Sequence, residues 1–232
     1  MLVLALDTAT PAVTAGVVEL TGNAVVERSV RVAHDARKHA ELLMPEVLGA
    51  CADAGVAMRD VDAVVTGTGP GPFTGLRVGM VTAAALGDAL GIPVHGVCSL
   101  DAIAAASLAA GPVPDGPLLV VTDARRREVY WALYDGEGGR ISGPHVETPA
   151  VLTARVDGLG AVAAAGGSAA LVGLPEWEPA SPSPAGLVAV AAPALHSGVR
   201  PGPLEPLYLR RPDAVEPGAR KRVSEPAGRS AG

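Results

Sequence analysis

Gly67-Thr68-Gly69-Pro70-Gly71-Pro72-Phe73-Thr74-Gly75-Leu76-Arg77-Val78-Gly79 follows an apolar run, Val61 to Val65, and leads into a stretch with small residues at every fourth position. Glycines at 67, 69 and 71 admit positive φ angles and close backbone approach, and the two prolines stiffen the same loop. The pattern predicts a strand, a glycine-rich turn and a helix over Thr74 to Leu90. A helix N-terminus behind such a turn is a natural anion site. The stretch has neither a Gly-Lys-Ser/Thr ending nor Gly-x-Gly-x-x-Gly, so both standard nucleotide fingerprints fail. It points to a fold of nucleotide-binding ancestry more directly than to a bound nucleotide.

Upstream, Leu2 to Leu6 is a continuous apolar run, the mark of a strand covered on both faces. Thr14 to Leu20 and Ala24 to Val32 read as two more strands joined by a Thr21-Gly22-Asn23 turn. In the second of these, Ala24, Val26, Val30 and Val32 are expected on one face, and Glu27, Ser29 and Arg31 on the other. A helical period follows from Arg37 to Ala54, with Pro45 inside it predicted to bend the helix or remove one hydrogen bond. Beyond the glycine-rich loop and its helix come a strand, Ile92 to Val97, and a third helix from Ser99, the expected cap, to about Ala109. The order β-β-β-α-β-α-β-α is that of the ribonuclease-H-like half of the actin, Hsp70 and sugar-kinase folds.

Gly111 to Pro117 separates this half, residues 1–110, from a smaller second lobe over 111–212. The second lobe starts the same way, with strands over Leu118 to Thr122, Val129 to Tyr134 and Ile141 to Glu147. A short strand at Ala161 to Ala165 and a helix with Pro184 at its first position follow. The expected class is therefore α/β with duplicated lobes, the second degenerate. The tail 213–232 is rich in Pro, Gly, Arg and Ser, has little that could pack, and is expected to be disordered.

With 49% hydrophobic and 18% charged residues, the chain of 232 must fold as a globule. A net charge of −6 argues against gripping a polyanion unaided. Cys51 and Cys98 lack metal-ligand spacing and read as buried thiols in a reducing compartment. The apolar run at the start is too short for a signal peptide or a membrane span, so a cytoplasmic protein without membrane association is expected.

Five motifs, in order along residues 2–213, resemble the TsaB (YeaZ) family. They are Asp7-Thr8-Ala9-Thr10, His39-Ala40-Glu41-Leu42-Leu43-Met44-Pro45, Gly69 to Gly79, Asp123-Ala124-Arg125-Arg126-Arg127-Glu128-Val129-Tyr130, and Pro206-Leu207-Tyr208-Leu209-Arg210. The resemblance implies a subunit similar in fold to the catalytic paralogue TsaD and dimerising with it. Together with a TsaE-like ATPase, that complex transfers threonylcarbamoyl from an adenylate to the adenosine beside the anticodon of certain tRNAs. It implies a scaffold with no catalytic residue, cofactor or metal of its own, meeting tRNA through the complex and able to homodimerise when alone. The catalytic paralogue carries a Val-Asn-His-x-x-x-His type motif, two histidines on one helical face; here Val97-Cys98-Ser99-Leu100-Asp101-Ala102-Ile103 stands in its place, with serine and isoleucine at the ligand positions. His34 and His39 are five apart and do not share a helical face.

The candidate partner interface is His39, Leu42, Leu43, Glu46 and Val47 on the first helix with Gly75, Leu76, Gly79, Ala83 and Gly87 on the second. Three glycines weaken a helix by about 1 kcal/mol each, which a close helix approach must offset. That approach is either to the subunit's own sheet or to a partner. Phe73, at the tip before this helix, either plugs the core or anchors a partner. Asp7, Thr8, Thr10, Gly69 and Gly71 stand where this fold places phosphate loops; the alternative is a plain Asx-type turn. Arg125, Arg126 and Arg127 form either a subunit or tRNA contact or a solvated hairpin tip. Two other function classes make distinct demands: an independent ATPase or small kinase would need Asp7 or Thr8 for turnover, and a metallo-glycoprotease would need a metal site.

Overall fold

The computed structural model describes residues 1–22, 24–35, 37–111 and 116–210. The tail 213–232, Asn23 of the predicted turn and most of the Gly111–Pro117 linker lie outside the described residues.

A continuous apolar run makes β1 (Leu2–Asp7) the centre of the first sheet. It pairs antiparallel with β2 (Ala12–Thr21), which pairs with β3 (Ala24–His34). On its other side β1 runs parallel to β4 (Ala63–Gly67), and β4 to β5 (Val94–Val97), giving the order β3-β2-β1-β4-β5. The second sheet repeats this plan. Here β6 (Leu118–Asp123) is central, β7 (Val129–Tyr134) and β8 (Arg140–Glu147) continue antiparallel, and β9 (Ala163–Ala165) and β10 (Glu176–Trp177) are parallel. The order β10-β9-β6-β7-β8 duplicates the first, with shorter parallel strands. The duplicated α/β fold read from the sequence is therefore the one formed.

Helices α1 (His39–Ala54) and α2 (Phe73–Leu90) cover one face of the first sheet, where Leu43, Val47 and Ala83 pack on Leu4, Leu6 and Val64. α1 runs unbroken through Pro45. In the second lobe, two short helices, α4 (Pro149–Thr153) and α5 (Val156–Leu159), and a 3-10 turn, Ala169–Val172, stand between the strands where α1 and α2 stand in the first. That is the degeneracy the weak periodicity foretold.

The last helices join the lobes. α3 (Ser99–Ala110) sends Leu100, Ile103 and Ala104 into the core of the second sheet, and Ala102 into the first. α6 (Pro184–Ser197) turns back to the first sheet, with Leu187, Val188, Ala191 and Leu195 against Val3, Ala5 and Val18. α6 falls within residues 111–212 yet packs on the first sheet, since a helix's apolar face does not say which sheet it will cover. Gly186 permits the α3–α6 crossing, because a Cβ there would sit 2.2 Å from the Ala102 carbonyl oxygen.

Two local readings are corrected. A bulge at Val17/Val18 pairs those residues with Ser29 and Glu27, leaving Arg28 extra and putting Val26 and Val30 on opposite faces. Ser29 and Arg31 turn to α1, bonding the Ala50 carbonyl and Asp53, while Val26, Val30 and Val32 are exposed. Ser99 lies inside α3; Cys98 holds the cap position and no side-chain bond caps the helix. Among the described residues no helix is long and apolar enough to cross a membrane.

Gly186→Ala should cost about 1–3 kcal/mol by forcing α3 and α6 apart, lowering the thermal midpoint by several degrees without loss of secondary structure at low temperature; an unchanged midpoint would show that the crossing can relax.

Candidate functional site

Three chain segments meet at the C-terminal ends of β1 and β4, the usual place for a site in an open α/β sheet. Asp7 ends β1 wholly buried, accepting hydrogen bonds from the Ser99 hydroxyl at 2.6 Å and the Ala9 N–H at 2.8 Å. Ser99 in turn accepts from the Gly69 N–H at 3.3 Å. Burial pushes the Asp7 carboxyl up from 3.8 to about 6, against the lowering effect of those hydrogen bonds and of the nearby His39. The glycines are demanded by contact: a Cβ on Gly67 would lie 1.7 Å from an Asp7 carboxylate oxygen, and one on Gly71 2.4 Å from the Ala9 carbonyl. Thr10 caps its own turn through the Ala12 N–H, and its carbonyl meets His39 Nε2 at 2.9 Å. The residues read as phosphate loops are therefore together, and their polar groups bond to one another.

Thr8 carries the next layer. Its hydroxyl donates to the Gly75 carbonyl at 2.7 Å and accepts from the Gly79 N–H at 3.0 Å, which seats the first turns of α2 on β1. The small stripe is turned inward. A Cβ on Gly79 would approach Thr8 Oγ1 to 2.4 Å, and one on Gly87 would reach Val94 at 2.2 Å; Leu76 and Ala83 are fully buried. The close approach of these glycines is to the subunit's own residues, Thr8 just beyond β1 and Val94 on β5. Leu43 and Val47 face the same core, and His39 is buried between the β1–β2 turn and Gly75. Leu42 and Glu46 are half-buried, with Glu46 3.8 Å from Arg31. Leu48 and Val81, at 56% and 66% exposure, are the large aliphatic side chains that α1 and α2 show to solvent; the sequence pattern gave no reason to prefer them.

The Arg125–Arg127 tip comes from the second lobe to this same end. All three arginines have left-handed φ angles of 62°, 53° and 63°. Such a conformation costs a non-glycine residue roughly 1–2 kcal/mol, so the turn must be held from outside itself. Asp123 Oδ1 accepts from the Arg125 N–H at 2.9 Å, and Ala124 and Glu128 close the turn. Arg210 then spans its base, donating to the Ala124 carbonyl at 3.2 Å and to the Glu128 carboxylate. Two clefts of about 330 Å³ lie beside the tip. One joins Arg125 to Arg37, His39, Thr74 and Gly75; the other joins Arg125 and Arg126 to Phe73, Tyr208 and Arg210. Phe73, at 41% exposure, stacks on Tyr208 with centroids 5.2 Å apart, and Arg77 lies 3.8 Å over its ring. All three residue groups read from the sequence thus meet at one end, where cationic side chains and the N-terminus of α2 favour an anionic or acidic surface. The Tyr208 and Arg210 contacts were invisible in the sequence, since they span 131 and 82 positions.

The position of the paralogue's two histidines is closed. Ser99 and Ile103 are buried, Ser99 bonded to Asp7 and Ile103 within the second core. Among the described residues no three His, Cys, Asp or Glu side chains gather as a metal set. Cys51 and Cys98 are free and buried, and burial pushes the Cys98 thiol up to about 12, well away from thiolate chemistry.

Residues 32–175 match the family model described as "TsaD: tRNA N6-adenosine threonylcarbamoyltransferase". An uncharacterized protein of Mycobacterium tuberculosis is 58% identical over 214 residues, covering 91% of this chain and 93% of that one. The tRNA threonylcarbamoyladenosine biosynthesis protein TsaB of Bacillus subtilis is 33% identical over 139 residues, 60% of this chain and 57% of that protein. The crystal structure of YeaZ from Pseudomonas aeruginosa superposes with a TM-score of 0.70 at 28% identity, covering 90% of this chain and 99% of that one.

Two outcomes follow from this geometry. Gly79→Leu should unfold or strongly destabilise the isolated chain, by more than about 3 kcal/mol, as read by thermal melting; a stable monomer would mean that α2 can lift off Thr8. For Asp7, the folded pKa lies above the unfolded one, so the folded state holds the extra proton between pH 4 and 6. Stability from this group is therefore complete at low pH and falls by up to about 3 kcal/mol as pH rises through that window. Relative to Asp7→Asn, the wild type should lose midpoint from pH 4 to 6 and run level above; parallel curves would show that the carboxyl is not perturbed.

Proposed function

The chain belongs to the TsaB (YeaZ) family, and from that premise we propose that it is the scaffold subunit of a tRNA threonylcarbamoyladenosine complex, pairing with a TsaD-type catalytic paralogue. The observation that carries the reading is the junction where the C-terminal ends of β1 and β4 meet the start of α3. There Ser99 and Ile103 replace the paralogue's ligand pair, and Asp7 is spent on Ser99 and Ala9. A carboxylate so occupied is buried away from any substrate, and among the described residues no three metal-ligating side chains gather. An independent kinase or ATPase would use this loop, and a glycoprotease would use this metal position.

What remains accessible is the outer side of α1 and α2 with the arginine tip beside their N-terminal ends. On this reading the helices meet the catalytic partner through Leu42, Leu48 and Val81, and the scaffold fixes the geometry of the partner's own site. Gly75, Gly79, Ala83 and Gly87 contribute from behind, by letting α2 lie low on its sheet. Homodimers would use the same face when the partner is missing, in keeping with the self-complementary logic of two-fold interfaces. A TsaE-like ATPase and tRNA then join through the complex, the arginine tip being the part of this chain suited to their acidic or phosphate groups.

Mixed with the TsaD-type protein of the same organism, the chain should give a one-to-one species by light scattering on a size-exclusion column. Leu48→Glu and Val81→Glu should each weaken that species at least tenfold with the monomer's melting unchanged. A full-strength complex from both variants would remove the α1–α2 face from the interface. ATP turnover by the isolated chain, lost on changing Thr8, would favour the enzyme reading instead.

A further inference from the structure

The closing motif Pro206-Leu207-Tyr208-Leu209-Arg210 takes no part in the reading above, yet it touches both lobes within five residues. After α6, Leu204 packs on Ala9, Leu76 and Met80 beneath the start of α2. The Leu207 N–H donates to the Thr68 carbonyl at 2.8 Å, tying the segment to the glycine-rich loop, while Leu207 and Leu209 pack on the second lobe's core. Tyr208 turns the other way. Its ring stacks on Phe73 at the first turn of α2, and its hydroxyl accepts from Arg77 Nε at 2.8 Å. Two residues later Arg210 reaches both sides of the arginine tip's base, the Ala124 carbonyl and the Glu128 carboxylate.

We propose that Tyr208 and Arg210 are positioning residues: the closing motif straps the Arg125–Arg127 tip to the N-terminal end of α2, so that tip and helices reach the partner as one preformed surface. The argument rests on what each side chain can do. Three consecutive left-handed arginines do not persist on local preference; Asp123 ties the first of them, accepting from the Arg125 N–H at 2.9 Å and lying 3.6 Å from Arg125 Nε, and backbone bonds between Ala124, Arg125 and Glu128 close the turn. Arg210 adds a planar fork that grips a neutral carbonyl and a carboxylate across the turn, a geometry that lysine's single ammonium cannot reproduce. Its guanidinium and the Glu128 carboxylate are about 30% exposed, 28% and 30%, so water screens the pair less than it would an open surface bridge. Tyr208 supplies the other end of the strap: it fixes where α2 begins relative to the same five residues. Leu207 and Leu209, anchored in the second core, keep the two ends from moving independently.

The consequence for the partner depends on the scaffold reading; the strap itself does not. Hydrogen exchange by mass spectrometry on the full chain separates them. In Arg210→Gln, amides from Ala124 to Val129 should exchange at least tenfold faster, while those of β1 and α1 keep their wild-type rates. Glu128→Gln should do the same, and the two combined should add nothing further, because they cut one link. Arg210→Lys should recover part of the protection, since it restores the ion pair and not the fork. Tyr208→Ala should raise exchange both at the tip and in the first turn of α2. Unchanged tip exchange in Arg210→Gln, or an equal rise in β1 and α1, would overturn the strap. With the TsaD-type partner, Arg210→Gln should lower the association rate constant at least threefold, as expected when a surface must be reassembled on encounter. An unaltered association rate beside a loosened tip would overturn the claim that the tip belongs to the partner surface. Failure of the wild type to bind any such partner would overturn the scaffold reading and leave the exchange result to decide the strap alone.

Discussion

The α3–α6 crossing is the constraint on which the rest of this structure depends. Each helix follows the last parallel strand of one half, and each packs an apolar face on the sheet of the other half. Gly186 removes the side chain that would hold them apart, so the backbone of α6 comes against the Ala102 carbonyl of α3. Leu187, Val188 and Ala191 then reach the first sheet, and Leu100, Ile103 and Ala104 the second. Asp101 strengthens the same joint by accepting from the Tyr134 hydroxyl at 2.7 Å and lying 3.3 Å from Arg140. Burial raises the Tyr134 hydroxyl's pKa further out of reach, so it stays a neutral donor in this link.

Closing the lobes in this way brings Ser99, the first residue of α3, onto Asp7 at the end of β1. In a duplicated fold of this kind, that junction is where a ligand would lie between strand ends. Here three hydrogen bonds and two glycine contacts occupy it with the protein's own groups. The carboxylate kept there is costly in a dry site, which is why its pKa rises. Satisfied by a hydroxyl and a backbone N–H, the Asp7 carboxyl ties the β1 end to the glycine-rich loop and the start of α3.

Much of this was legible in the residues. Continuous apolar runs gave the central strands, and the Gly67–Gly79 pattern gave the strand–turn–helix, the strand two residues early and the helix to within one, because such a loop admits few other conformations. The repeated strand order of the second lobe was also readable from its first two strands. Orientation was not. The glycine stripe showed that α2 approaches something closely, but i, i+4 spacing is the same whether the neighbour is Thr8 or a second protein. On β3, alternation failed because one inserted residue at the bulge reverses every side chain beyond it. For α6, composition marked a helix and its Pro184 start, while the choice of sheet rested on a single glycine against a carbonyl.

The arginine tip shows the same limit in electrostatic form. Three arginines beside acidic residues read equally well as a solvated turn or as a contact, and the overall charge of −6 leans toward the former. Its conformation is what the residue pattern did not show. A solvated tip would relax out of three left-handed residues, whereas this one is held by Asp123, Glu128 and a distant Arg210. Holding it sets Arg125 across a cleft from Arg37 and the first turn of α2, concentrating positive charge locally on an acidic chain. Like charges gathered at such cost in backbone strain are explained when an acidic surface completes them, and a protein whose interior cleft is filled by its own side chains has reason to build its working surface there.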